Sequence, residues 1–269
     1  MAVRHAKRRF ALLLAYDGTA FAGWQMQPGQ RTVQHTVGEA LIALGLIPKV
    51  EGASRTDRGV HARAMVVSVP TRIPHGAGWL LEGLRAHLPA DVRLRAVAPV
   101  PDDFHAQFAS AGKRYRYRLW LAREPGPSRF AWRLPDEVRP EASRSAFSLS
   151  ALQAALAAMV GRRSFAGVMH ATARAGLCDL REARLVRQVD SLRGRELVLA
   201  FSADRFGKYM VRTLVGVAVR AALGELDPAQ LARQLDAELP LGQLVAPPHG
   251  LCLAKVRYPR GRDPFPWLG

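Results

Sequence analysis

The stretch RFALLLAYDGTAFAGWQMQPGQRTVQHTVGEAL, residues 9–41, passes from a hydrophobic run through a glycine-rich loop into a periodic segment. The run at residues 9–16 is nearly all apolar and meets turn residues at once, which predicts a buried strand. The chain therefore begins with a strand, a loop and a helix. The helix is predicted to open at Thr32, because apolar residues recur beyond it at helical spacing: Val33, Val37, Leu41 and Leu44.

The segment that follows completes the pattern of a small α+β module. A loop, EGASRTDRGVHA at residues 51–62, precedes a predicted strand at residues 64–70. A helix at residues 79–88 is ended by Pro89, and a strand with alternating apolar residues is predicted at residues 92–100. The first third of the chain is thus predicted to have the order βαββαβ.

A second, looser βαββαβ pattern follows. Between its first strand and first helix lies an irregular insertion rich in Pro, Arg and Ser, from Ala122 to Ser148. We therefore expect an α+β protein of two tandem ferredoxin-like, RRM-type domains with mainly antiparallel sheets, residues 1–109 and 110–269. The elements of the second pattern are strands at 113–121, 181–190, 195–203 and 250–258 and helices at 148–161 and 207–224.

The charge of the chain indicates a polyanionic partner. Lys and Arg total 39 against 22 Asp and Glu, which leaves a net charge of +17 at pH 7. A GC-rich coding sequence would also enrich arginine, but it does not explain why acidic residues fail to keep pace. A nucleic acid is the favoured partner, ahead of a membrane surface, because no long amphipathic basic helix stands out.

The spacing of cysteine and histidine argues against disulfides and zinc. Cys178 and Cys252 are the only cysteines and lie far apart, and the eight histidines show no paired spacing typical of a zinc site. The sequence also contains no phosphate-binding glycine loop, dinucleotide motif or serine elbow. Its short apolar start meets Tyr16 and Asp17 without a cleavage pattern, so we interpret it as the first strand of a cytoplasmic protein.

A single carboxylate, Asp57, lies between Arg55 and Arg58 in the glycine-bounded loop. One interpretation is a polar turn with a local ion pair. The other is a reactive carboxylate, because flanking guanidinium groups favour the ionised form that a nucleophile or base needs. The same arginines would then hold RNA phosphates on either side of the reacting nucleotide.

Two further segments combine apolar and basic residues. The strand KRYRYRL, residues 113–119, places Tyr115 and Tyr117 on one face and arginines on the other. It is either an ordinary exposed strand with arginine stems over the rings, or a platform on which bases stack beside a phosphate-binding stripe. In the apolar segment MVRTLVG, Arg212 is either a snorkelling side chain or the partner of an acid, for which Asp57 is a candidate.

Five stretches, taken in order along the chain, resemble the TruA family of tRNA pseudouridine synthases. The element RTDRGVHA is the most specific part, and together the stretches span nearly the whole sequence. They are YDGTAFAGWQMQPGQRTVQ (16–34), ASRTDRGVHA (53–62), FHAQFASAGKRYRYRL (104–119), KYMVRTLVG (208–216) and GLCLAKVRYP (250–259).

The resemblance implies isomerisation of uridine to pseudouridine in the anticodon stem-loop of tRNA, at positions 38 to 40. It implies no cofactor and no metal. It also implies a homodimer in which the two ferredoxin-like domains of each subunit line a basic central cleft, and one tRNA touches both subunits. The alternatives that stay open are a pseudouridine synthase for another RNA, a non-catalytic RNA-binding protein on the same scaffold, and an RNA glycosidase or base-exchange enzyme.

By position, Asp57 resembles the catalytic aspartate of the family, whose attack lets the base be cut from C1′, turned and rejoined through C5. Whether the attack falls on the ribose or on the base stays open. Arg55 resembles the arginine that fills the space left by the flipped uridine. Tyr115 resembles the tyrosine that packs on the target base, and Arg212 the arginine that pairs with the aspartate. Arg58 is then left as a phosphate contact.

The sequence departs from the family pattern at several positions outside the reactive residues. Ser54 stands where glycine is common, and Arg162 and Arg163 replace a His-Asp pair before a phenylalanine. Lys208 and Tyr209 stand where apolar residues or histidine are more usual. These departures bear on which RNA is modified rather than on the chemistry.

Overall fold

The computed structural model of the chain describes residues 8–72, 75–122, 129–134, 147–169, 177–191, 194–241 and 244–268. Unit 1 comprises Met1–Ala111 and Leu253–Gly269, and unit 2 comprises Gly112–Cys252. Both units contain helices and mostly antiparallel strands, so the predicted α+β class is confirmed.

The described residues form ten strands and five α-helices. In chain order they are β1 (Arg8–Tyr16), α1 (Val33–Ala43), β2 (Glu51–Gly52), β3 (His61–Thr71), α2 (Ala77–His87), β4 (Val92–Val100), β5 (Gly112–Ala122), β6 (Trp132–Arg133), α3 (Leu149–Met159), β7 (Gly161–Ser164), β8 (Leu177–Ser191), β9 (Gly194–Ala203), α4 (Met210–Ala222), α5 (Pro228–Asp236) and β10 (Leu251–Arg257).

Strand β1 is the central strand of unit 1. It pairs antiparallel with β3 on one side and with β4 on the other. Strands β2 and β10 both pair with β3. Because both edges of β1 are paired and both of its faces are covered, the residues from Phe10 to Leu14 are at most 5% exposed. This burial explains the unbroken apolar run that opens the sequence.

The last residue of β1 brings three loops to one end of the unit 1 sheet. Tyr16 lies opposite Ala62 of β3 and opposite Val92 of β4. The loop after Tyr16, the loop that precedes β3 and the turn that precedes β4 therefore lie side by side. The backbone N–H of Asp17 donates to the carbonyl of Asp91 over 3.0 Å, which ties the first of these loops to the third.

In unit 2, the strand order is β5, β9, β8 and β7, with antiparallel pairing throughout, and the short β6 adds parallel to β5. Helix α4 is buried along almost its whole length, and only its residues Arg212 and Arg220 are partly exposed. A Cβ on Gly216 would lie 1.9 Å from the carbonyl oxygen of Leu244, so this close approach requires glycine.

The observed elements differ from the predicted ones mainly at their ends. Strand β3 begins at His61, three residues before the predicted start, and α4 begins at Met210 rather than near Gly207. The sequence did not predict β2, β6, β7 or α5. Most of the predicted irregular insertion lies outside the described residues, apart from the part that contains β6.

The two units also differ from the predicted domains, residues 1–109 and 110–269, at the C-terminus. The part of β10 from Leu253 onward belongs to unit 1. Within the described ranges, no helix is long and apolar enough to cross a bilayer.

Candidate active site

The loop that carries Asp57 ends in a tight turn immediately before β3. The N–H of Val60 donates to the carbonyl of Asp57 over 3.1 Å, and Gly59 has a φ of 77°. A positive φ at the third position of a four-residue turn favours glycine, because a Cβ there would be strained. The turn holds the Asp57 backbone at the sheet end where Tyr16 stops.

The glycine-rich loop after β1 holds the backbone of the Asp57 loop. The N–H of Trp24 donates to the carbonyl of Thr56 over 2.9 Å, and the N–H of Gly59 donates to the carbonyl of Phe21 over 3.3 Å. Gly23 has a φ of 108°, and a Cβ on it would lie 2.7 Å from the Thr56 oxygen. The two loops therefore touch through backbone atoms, and only glycine fits at residue 23.

Side chains of the Asp57 loop alternate between the interior and the solvent. Thr56 is buried, and its hydroxyl lies 2.8 Å from the Tyr16 hydroxyl. Arg55 is exposed, and Asp57 is partly buried. Arg58 is also exposed and donates to the side-chain oxygen of Gln30 over 3.1 Å. The buried Thr56 thus anchors a loop that carries a partly buried carboxylate between two exposed arginines.

A buried histidine, His61, fastens the first residues of β3 to the loop after β1. The N–H of Gly18 donates to Nδ1 of His61 over 3.0 Å. Nδ1 also lies 3.2 Å from a carboxylate oxygen of Asp17. A Cβ on Gly18 would lie 2.1 Å from the carbonyl oxygen of Val60, so the two loops are in direct contact.

Sequence reasoning did not assign the supporting residues Tyr16, Thr56 and His61. All three lie inside stretches that carry the family resemblance, which is the one sequence signal for them. Their partners are distant in sequence, so no local pattern shows the bonds that they make.

In unit 2, strand β5 has the two faces that its period predicts. Tyr115 and Tyr117 are 5% and 0% exposed, whereas Arg116 and Arg118 are exposed. The Tyr117 hydroxyl donates to the carbonyl of Pro247 over 2.8 Å. Burial raises the pKa of Tyr117 well above its usual range, and the positive charge of Arg212 opposes that rise. The prediction of an open stacking platform is therefore wrong for Tyr117, which is a core residue.

Tyr115 contacts the segment that leads into α4. Its ring meets the ring of Phe206 edge to face, with centroids 5.2 Å apart. Lys113 lies two residues earlier on the same strand; burial lowers its pKa, and the carboxylate of Asp204 opposes that shift. The role predicted for Tyr115 at a target base stays a prediction.

Arg212 is held in the first turn of α4. Its Nε donates to the carbonyl of Ala246 over 2.7 Å, and its guanidinium carbon lies 5.0 Å from the ring centroid of Tyr209. Tyr209 has a φ of 65° and stands directly before the helix. Arg212 is thus fixed by a carbonyl and a ring, while its predicted pairing with Asp57 stays a prediction.

No metal centre is formed by the described part of the chain, where no group of three or more His, Cys, Asp and Glu side chains is placed to hold an ion. A cavity of about 650 Å³ lies in unit 1, between the end of α2 and the start of β4. The residues that line it are Arg85, Leu88, Pro89, Ala90, Val92, Arg93 and Leu94.

Comparison with known proteins gives consistent matches. The family model described as tRNA pseudouridine synthase matches residues 13–109 and 155–259. The chain is 37% identical to tRNA pseudouridine synthase A of Geobacter sp. strain M21, over 94% of this chain and 99% of that protein. It is 35% identical to the protein of the same name from Thermus thermophilus, over 94% and 97%. The counterpart from Thermosynechococcus vestitus is 37% identical, over 96% and 88%.

Proposed function

Since the chain belongs to the TruA family of tRNA pseudouridine synthases and is therefore an isomerase, we propose that it converts uridine to pseudouridine in the anticodon stem-loop of tRNA, at positions 38 to 40. Asp57 is the proposed nucleophile. The observation that carries this proposal is the geometry of its loop, in which a partly exposed carboxylate stands on a backbone held by the turn at Gly59 and by Trp24 and Phe21.

The proposed reaction leaves the composition of the RNA unchanged. Asp57 attacks the substrate, the bond between N1 of uracil and C1′ of the ribose breaks, and the base turns within the site. A bond then forms between C5 and C1′, the bond between Asp57 and the substrate breaks and returns the free carboxylate, the proton on C5 leaves, and a proton is taken up at N1. Attack on the ribose and attack on the base both fit this sequence of bonds, and the proposal covers either.

The basic residues of the loop have separate proposed roles. Arg55 is exposed, as a side chain must be if it is to enter the space left by an extruded uridine and reduce the cost of unstacking. Arg58 is exposed but is bonded to Gln30, which supports a fixed phosphate contact. Arg212 is proposed to pair with Asp57, and Tyr115 to pack on the target base.

The remaining parts of the proposal concern architecture and assembly. In unit 1, β2, β3, β1 and β4 are antiparallel neighbours joined by two helices, which is the order of a ferredoxin-like module. We propose such a module for each half of the chain, in a homodimer that works in the cytoplasm on tRNA. Light scattering of the purified protein would measure the mass of the assembly.

The first test of this function is to incubate the purified chain with unmodified tRNA transcripts and to map pseudouridine by chemical labelling. We expect pseudouridine within the anticodon stem-loop and no free uracil. Labelled positions in another RNA region would overturn the proposed target. Released uracil would instead identify a glycosidase, and binding without any product would identify a non-catalytic RNA-binding protein.

Replacing Tyr115 by Phe is expected to lower kcat by about tenfold while tRNA affinity stays within about twofold, since the ring survives and the hydroxyl is lost. Steady-state kinetics and equilibrium binding would measure the two effects separately. Tyr117→Phe is the matched control. It removes the hydrogen bond to Pro247, so it should lower the free energy of unfolding by about 1–3 kcal/mol, which a lower melting temperature would show, while kcat is retained. Equal losses of kcat and affinity in Tyr115→Phe would contradict the role of the hydroxyl.

A further inference from the structure

Two exposed arginines of unit 1 project from the edge strand β4 beside the candidate site. Val92 and Leu94 are buried, whereas Arg93 and Arg95 are exposed. Because side chains alternate along a strand, Arg93 lies on the sheet face opposite to the buried pair. Arg95 lies at a register shift between β4 and β1, so its position is given by the hydrogen bond that its guanidinium makes. Arg93 lies opposite Ala15 of β1, one residue from the end of the strand.

A third arginine joins them from the other side of β1. Arg63 is exposed and follows Ala62, the residue that lies opposite Tyr16. The guanidinium of Arg95 reaches across β1 and donates to the carbonyl of Arg63 over 3.1 Å. The small side chain of Ala15 lies between β3 and β4 at this level and leaves room for the crossing. We call Arg63, Arg93 and Arg95 the arginine row.

The arginine row is not neutralised by the part of the protein that the structure describes. Within those residues, the side chains of Arg63 and Arg93 have neither a hydrogen bond nor an ion pair, and Arg95 donates to a backbone carbonyl. The neighbouring carboxylate, Asp91, is already engaged by Arg31 through two bonds of 2.7 and 2.9 Å. Three exposed like charges at the same end of neighbouring strands create a positive potential that favours an anionic ligand.

The position of the row ties it to the Asp57 loop. Arg63 and Arg93 each follow a residue that lies opposite Tyr16, so both stand at the sheet end where the Asp57 loop enters β3. Strands β3 and β4 flank β1 and are therefore about 10 Å apart. Guanidinium groups distributed over this end of the sheet offer positions for successive phosphates of one nucleic-acid strand.

We propose that the arginine row binds the sugar-phosphate backbone of the RNA next to the nucleotide that enters the Asp57 loop. This inference rests on the proposed function, and it names a contact surface outside all the stretches that carry the family resemblance. Guanidinium groups suit it because their planar forks match phosphate oxygens and stay charged. An acidic protein surface is the rival occupant, and the binding of tRNA and of polyglutamate by the same variants separates the two.

The test uses Arg63→Gln/Arg93→Gln/Arg95→Gln and the single variant Arg93→Gln, whose side chain makes no bond within the described residues. Binding of an unmodified tRNA transcript is measured over a range of salt concentrations, together with steady-state kinetics. The triple variant should bind about tenfold more weakly or worse at low salt, and the slope of log affinity against log salt should fall by about 2–3. The single variant should lower that slope by about 1, and its loss of affinity should raise the KM for tRNA.

Arg260→Gln is the matched control, because Arg260 is an exposed arginine of the same unit that lies beyond β10. It should leave affinity and slope unchanged. An equal loss in this control would reduce the effect to net charge and overturn the proposal. Unchanged tRNA binding in the triple variant would also overturn the proposal. So would a triple variant that keeps tRNA binding but loses the binding of polyglutamate, which stands for an acidic protein surface. If the triple variant does not fold, the slope of log affinity against log salt for Arg93→Gln tests the proposal, and an unchanged slope overturns it. Absence of pseudouridine with the wild-type chain would refute the proposed function alone, because the binding measurements need no turnover.

Discussion

Replacing Asp57 by Asn is expected to abolish pseudouridine formation, with a loss of at least about 1,000-fold in kcat, because an amide cannot attack as a carboxylate does. The exchange keeps the size of the side chain, and the turn is held by backbone atoms of Asp57, Gly59 and Val60. Fold and RNA affinity should therefore stay close to those of the wild type, within about threefold in Kd. Product mapping and equilibrium binding on the same transcript would measure both.

A second carboxylate of unit 1 supplies the control for this exchange. Asp103 has a side chain that is 63% exposed and pairs with Arg262 over 2.8 Å. Asp103→Asn removes the same charge from the same unit and should leave the rate unchanged, since exposed ion pairs contribute little. Retained isomerisation in Asp57→Asn would contradict the nucleophile, and an equal loss in both variants would point to net charge instead.

The sequence predicts some elements well because their periods are visible in it. Strand β4 occupies its predicted bounds, Val92–Val100, where buried and exposed residues alternate near its start. Helix α4 begins later than predicted, because Tyr209 adopts a left-handed conformation that no sequence signal announces. Helix α5 was missed although Asp227 caps it and Pro228 occupies its first turn, a recognised start signal in a segment with few apolar residues.

The candidate site could be predicted only in part, since its support comes from distant residues. Asp57, Arg55 and Arg58 stand out because one acid lies between two bases. The bonds that hold this loop join Tyr16 to Thr56 and Gly18 to His61, pairs that are 40 and 43 positions apart. The same limit applies to β5, whose alternation is visible while the burial of its tyrosine face depends on the segment at residues 247–250.

Because of these distant contacts, the glycine-rich loop after β1 determines where the Asp57 loop lies. Gly23→Ala is expected to lower kcat by about 100-fold, the effect of displacing a reactive group by about 1 Å. The added methyl group would lie 2.7 Å from the oxygen of Thr56 and 3.2 Å from the carbonyl carbon of Asp57. Both are backbone atoms, so the Asp57 loop itself has to move. Kinetics at a temperature where the variant is folded would measure the loss.

Gly29→Ala provides a control from the same loop with the same kind of backbone strain. Gly29 has a φ of 67°, and a Cβ on it would meet nothing within 4 Å. Both variants should therefore lose stability, by roughly 1–2 kcal/mol from the positive φ and more for Gly23 because of the contact. Thermal melting would measure this shared loss of stability. The kcat values should differ between the two variants, since only the methyl group added at Gly23 contacts the Asp57 loop. A folded Gly23→Ala variant with wild-type kcat would show that the reaction does not depend on this placement of Asp57.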